Sequence, residues 1–221
     1  MPSHLIPWSD AHLVAIDLEG SGSQDTVGEA ILEIALVPIR GGAPDIDRAY
    51  STLINPKRKI TRVPWLSPGI TNSVLEHAPT IDEVAPDIIE LVADAHLVGH
   101  NVRVDWRPLR KTLPAAKPSG LIDTLRLARY LQPELKNGHG LQAWIKRLDL
   151  TGSIDRAAGD SQPHRALWDS VATATLLQTF MRDKPAHETH LDALIDTAGL
   201  DLDGNPYSTE SADQQSLWDA F

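Results

Sequence analysis

At 221 residues, 42% of them hydrophobic, the chain is long enough to bury a core of its own. It has no cysteine, which excludes disulfides and thiolate metal sites; any metal must rest on carboxylates, histidines or carbonyls, and oxygen ligands favour magnesium or manganese. No apolar run approaches the roughly 20 residues that span a bilayer, and Met1-Pro2-Ser3-His4 opens no signal sequence, so a cytoplasmic protein without a membrane partner is expected.

The net charge of −10 is unevenly spread: residues 183–221 hold nine acids against the single Lys184. Residues 100–150 carry ten Lys and Arg against four acids. A basic segment beside an acidic metal site suits a phosphodiester substrate, whose phosphates need cations along a groove. A solvated helical face accounts for charge in general, though not for this bias of sign.

In chain order, residues 12–16 read as a first strand, running into Asp17-Leu18-Glu19-Gly20-Ser21-Gly22. Strand side chains alternate faces, so Asp17 and Glu19 point one way while Ile16 and Leu18 point the other. Two acids on one patch repel unless protonated or bridged by a cation, which points to a metal site. Residues 29–39 and 48–54 read as further strands of a meander, with turns at 20–28 and 41–44. Glu33, inside an apolar run, is expected at an edge or in a polar contact near the site. Thr80-Ile81-Asp82-Glu83 offers a capping box for a helix to about residue 93. Residues 95–98 make a short strand ending in Gly99-His100-Asn101, and a helix carrying Asp105 should follow. A strand at 120–122, helices at 123–130 and 141–148, and a long helix from 165 to about 181 complete an α/β arrangement around a mixed sheet. His164 stands five residues before Asp169; five helical steps turn by about 140°, so the two can meet only if His164 precedes the regular helix.

Asp17-x-Glu19, His100-Asn101-x-x-x-Asp105 and His164-x-Ala166-x-x-Asp169 resemble, in order and spacing, the three motifs of the DEDDh 3′→5′ exonucleases. This is the DnaQ-like branch of the ribonuclease-H-like fold, which includes the proofreading epsilon subunit of bacterial DNA polymerase III. Gly69-Ile70-Thr71 and the segment from Ile122 to Arg129 are similar to the epsilon-type sequence as well. The family often has two threonines after the first motif, where this chain has Gly20 and Ser21, and Ser67-Pro68 replaces its usual Val-His.

The resemblance implies a ribonuclease-H-like exonuclease domain over residues 1–182, followed by an acidic C-terminal extension over 183–221. It implies two Mg2+ or Mn2+ ions held by Asp17, Glu19, Asp105 and Asp169, with His164 taking the proton from the attacking water. It places Leu18, Gly20, Ser21, His100 and Asn101 against the substrate, and Trp65 and Trp106 are candidates for stacking on an unpaired base. The expected reaction is release of nucleoside 5′-monophosphates from single-stranded DNA 3′ ends, in proofreading or repair. The alternatives are an RNA exonuclease of the ribonuclease T or oligoribonuclease type and a non-catalytic nucleic-acid-binding module. The tail is expected to be a short helix at 191–198 and then flexible, ending in Gln214-Gln215-Ser216-Leu217-Trp218. That end resembles a sliding-clamp docking peptide, so residues 214–221 are a candidate clamp or polymerase contact, against a terminus that packs back or frays.

Overall fold

The computed structural model describes residues 6–22, 28–61, 66–182, 184–185 and 189–207. Strand β1 (Leu13–Gly20) pairs antiparallel with β2 (Ile31–Arg40). The far edge of β2 takes two short strands, β3 (Ala43–Pro44) and β4 (Tyr50–Leu53). On its other side β1 pairs parallel with β5 (His96–Gly99), which pairs parallel with β6 (Gly120–Asp123). The two-residue β7 (Gly199–Leu200) closes that edge antiparallel to β6. The sheet is therefore mixed, as expected, with helices on both faces.

Alternation along β1 sorts its side chains between two cores. Leu13 and Ala15 join Val37, Ile39 and Val98 on the face covered by α4 (Thr124–Leu131), α5 (Leu141–Arg147), α6 (Thr151–Ala158) and α7 (Ala166–Arg182). Val14, Ile16 and Leu18 join Ile34, Leu36 and Leu97 on the opposite face, beneath α2 (Ile81–Val92) and α3 (Arg103–Thr112). Asp17 and Glu19 continue the first set, so both point to the layer that contains α7.

The long helix α7 is buried nearly all round rather than on one side, because the sheet covers one flank and α4, α5 and α6 cover the others. The short α1 (Asn72–Leu75) and α6 have no periodicity in the sequence and add to the expected set. Helix α2 starts on its capping box, the Thr80 N–H donating to the Glu83 carboxylate at 2.7 Å. No helix among the described residues is long and apolar enough to cross a membrane.

The acidic extension is not separate in packing as far as it is described. Helix α8 (Leu191–Ala198) sits on α4 and β6 and leads into β7. Residues 201–207, expected to be flexible, turn back so that Leu202 O accepts from Trp106 Nε1 at 2.9 Å and from Arg110 Nη1 at 2.6 Å. Residues 208–221, with the candidate docking sequence, lie outside the described residues.

Candidate active site

Every element that carries a motif residue ends at the same edge of the sheet, beyond the carboxyl ends of the parallel strands β1, β5 and β6. One ligand atom from each of Asp17, Glu19 and Asp169 can be chosen so that all lie within 4.8 Å of one another. Asp17 and Glu19 stand two residues apart on β1, and Asp169 enters from the first turn of α7, where the helix dipole favours an anion.

Neighbours hold each carboxylate in place. The Ser67 hydroxyl donates to Glu19 Oε2, and Gln142 Nε2 of α5 donates to Asp169 Oδ1 at 3.0 Å. Asp105 arrives from the opposite layer on α3 and accepts the Leu18 N–H at 2.9 Å. It is thus beside the first motif but outside the three-carboxylate group. His164 precedes α7 in a turn, with φ +66°, so it is not helical. It is exposed and lines an open cavity of about 310 Å³ with Asp17, Asp169, Gln142, His100 and Gly140.

Glu33 faces Glu19 directly across the β1–β2 pair. It is 3% exposed and grips Arg165 in a two-pronged ion pair, Nε to Oε2 at 2.8 Å and Nη2 to Oε1 at 2.7 Å, while the Ala166 N–H donates to Oε2 at 3.2 Å. The start of α7 is pinned by this contact. A buried acid in an apolar strand was its sequence signal. Ser67 and Gln142 had none, since each reaches the site from a remote segment.

Several of the expected substrate residues make contacts within the protein. Trp106 is 4% exposed, packs under the sheet and spends its N–H on Leu202, so its ring offers no stacking face. Ser21 is 8% exposed and its Oγ accepts the Ala30 N–H at 2.9 Å, closing the β1–β2 connection beside Gly20. Leu18 packs its side chain in the α2–α3 core. His100 uses both ring nitrogens: Nε2 donates to the His139 carbonyl at 2.8 Å, and Nδ1 is hydrogen-bonded to the Thr124 hydroxyl at 2.9 Å. Burial holds its pKa below the ordinary value, consistent with a neutral brace. Asn101 is exposed with φ +71°, its N–H on Asp123 Oδ1 at 2.8 Å. Trp65 lies outside the described residues.

The exonuclease family of ribonuclease T matches residues 14–177, and this stretch contains all three motifs. The chain belongs to the DnaQ-like exonucleases. It is 34% identical over 175 residues to the PolC-type DNA polymerase III of Bacillus subtilis, covering 77% of this chain and 11% of that protein. It is 33% identical over 183 residues to a DNA polymerase III subunit epsilon-like protein of Rhodobacter capsulatus, covering 81% of this chain and 25% of that protein. The chain thus spans a quarter or less of these relatives. Among solved structures it is similar to exonuclease X in complex with 5′ overhanging duplex DNA, at 29% identity, a TM-score of 0.60, and coverage of 82% of this chain and 99% of that one.

In this DnaQ-like site the electrostatics fit a divalent cation. Burial, with repulsion from Asp105, Asp169, Glu19 and Glu33, holds the Asp17 carboxyl well above the usual range. Burial raises Glu19 to about 7 against the Ser67 hydrogen bond, Asp105 to about 8 and Asp169 to about 6. Crowded, desolvated carboxylates of this kind keep their protons or exchange them for a hard cation, and an oxygen-only donor set selects Mg2+, Mn2+ or Ca2+ over softer metals.

Proposed function

We propose that this chain is a metal-dependent 3′→5′ exonuclease that hydrolyses phosphodiester bonds at single-stranded DNA 3′ ends and releases nucleoside 5′-monophosphates, in proofreading or repair. The observation that carries the reading is the convergence of Asp17, Glu19 and Asp169 on one point, with the exposed His164 lining the cavity at that point. DNA is preferred over RNA in this reading because its 34%-identical relative is a PolC-type DNA polymerase III and its 29%-identical structural neighbour holds DNA.

Two Mg2+ or Mn2+ ions, when bound, supply Lewis-acid chemistry, acidifying water and stabilising the leaving 3′-oxygen. The chain's own residues do the rest. Asp17, Glu19 and Asp169 bind the ions, and Asp105 supports them from the α3 side. His164 accepts the proton of the attacking water; its place in the turn ahead of the helix sets it at the cavity wall. Ser67, Gln142 and the Glu33–Arg165 pair fix the carboxylates and the start of α7.

The test is digestion of 5′-labelled DNA and RNA strands of one sequence with Mg2+ or Mn2+, beside Asp17→Ala. The expected result is a ladder shortening from the 3′ end, faster on DNA and lost in the variant. Faster trimming of RNA would replace the DNA reading with a ribonuclease one. No digestion by the intact protein would leave a binding module.

A further inference from the structure

We propose that a polynucleotide strand reaches the carboxylates along a basic track formed by the last turn of α4, the α4–α5 connection and the outer face of α3, with Arg129, Lys136, Arg103 and Lys111 as its phosphate contacts. The assignment rests on the exonuclease reading for its direction but not for its existence.

Three open cavities form the track, and consecutive ones share walls. The catalytic cavity shares His100 and Gly140 with a second of about 440 Å³, which also takes in Arg129, Lys136 and Asn101. Asn101 is shared in turn with a third of about 640 Å³, whose wall includes Arg103, Arg107, Arg110 and Lys111. The lining residues therefore lead without a break from Asp169 to the far end of α3.

On α3, Arg103, Arg107 and Lys111 stand four residues apart and form one stripe, while Asp105, Trp106 and Leu109 are buried on other faces. Arg107 meets Glu29 at 3.6 Å and Arg110 meets Asp203 at 2.7 Å, both pairs well exposed. The other four cations are exposed and make no hydrogen bond, ion pair or ring contact among the described residues. Like charges gathered along a groove and not spent on the protein itself suit a partner that brings its own regularly spaced anions. The sugar–phosphate backbone of DNA or RNA is that partner, and it would be held without regard to base sequence.

The test is binding of a fluorescent single strand by anisotropy in EDTA, so that loss of catalysis cannot disturb it, with DNA and RNA arms and a salt titration. The Arg103→Gln, Lys111→Gln, Arg129→Gln, Lys136→Gln combination should weaken both polymers at least tenfold and flatten the salt dependence by about 0.7 in log–log slope per contact removed. An Arg40→Gln, Arg48→Gln control removes charge from the opposite end of the sheet and should leave both quantities unchanged. Hydrolysis of the p-nitrophenyl ester of thymidine 5′-monophosphate, too small to reach the track, should persist in the four-site variant. Unchanged strand affinity and slope in that variant, an equal loss in the control, or a loss confined to one polymer would each overturn the track. A wild-type protein that binds strands with the expected slope but cleaves neither strand nor ester would overturn the exonuclease reading and leave the track standing.

Discussion

Arg165, next to the candidate proton acceptor, is clamped by Glu33, a residue 132 positions earlier and opposite Glu19 on the neighbouring strand. The pair joins β2 to the residue just ahead of α7, so the geometry of His164 and Asp169 relative to β1 depends on it. Breaking a buried pair leaves one charge uncompensated, at a cost of about 3 kcal/mol, somewhat less here because a quarter of the Arg165 side chain remains exposed. Glu33→Gln should lower the melting temperature by several degrees and reduce turnover about tenfold or more. Arg165→Lys, which keeps the charge and loses the fork, should recover more stability than activity. Thermal melts beside kcat for both variants check this; full activity in Glu33→Gln would remove the pair from the site's architecture.

His164→Ala tests the proton acceptor. The imidazole makes no hydrogen bond among the described residues and lies outside the three-carboxylate group. Its removal should therefore spare cation binding while turnover falls by about 10²–10⁴, the usual contribution of general acid–base catalysis. Calorimetric titration with Mn2+ and single-turnover cleavage separate the two effects. A matching loss of metal affinity would make His164 a ligand instead.

Much of this site could be read in the chain because its logic is local. The period of a strand placed Asp17 and Glu19 together, and the geometry of a helix required His164 to precede α7, which its φ of +66° satisfies. The capping box announced α2. What escaped was set by contacts distant in sequence. Thr151-Gly152-Ser153 has weak helix propensity, and α6 forms because Ile154 and Ala158 pack in the α7 core and Asp155 accepts the Trp168 N–H at 2.8 Å. Acidic charge and the turn residues Gly204-Asn205-Pro206 made residues 201–207 look unstructured, whereas Asp203 has Arg110 as its partner. Trp106, beside a motif residue, faces the core because α3 turns Asp105 toward β1 and the indole under the sheet.

Ser67 and Gln142 carry a prediction of their own. Each donates to a metal-site carboxylate, and loss of such a supporting hydrogen bond typically costs about 10–100-fold in metal affinity or activity. Ser67→Ala should show its loss mainly in the concentration of Mg2+ needed for half-maximal rate. Gln142→Leu should do the same through Asp169. Unchanged metal dependence in both would mean that the carboxylates are oriented by the strand and helix alone.

The raised carboxyl groups link protons, cations and stability. In the unfolded chain these groups ionise near their ordinary values of 3.8 and 4.5, whereas in the folded, cation-free site Asp169, Glu19 and Asp105 hold protons to about 6, 7 and 8. Between those limits the folded state binds more protons than the unfolded one, so this contribution to stability declines as pH rises through the window. A divalent cation takes the place of the protons and cancels the decline, and its binding becomes easier as fewer protons must be displaced. The melting-temperature gain on adding Mg2+ over EDTA should thus be small near pH 6 and grow steadily to pH 8. In Asp17→Asn the cation-free protein should melt higher than the wild type at pH 8, since one repelling charge is gone, and Mg2+ should add little. A gain that is flat with pH, or an Asp17→Asn protein that is less stable than the cation-free wild type, would mean that the crowding of these carboxylates is relieved by something other than a metal.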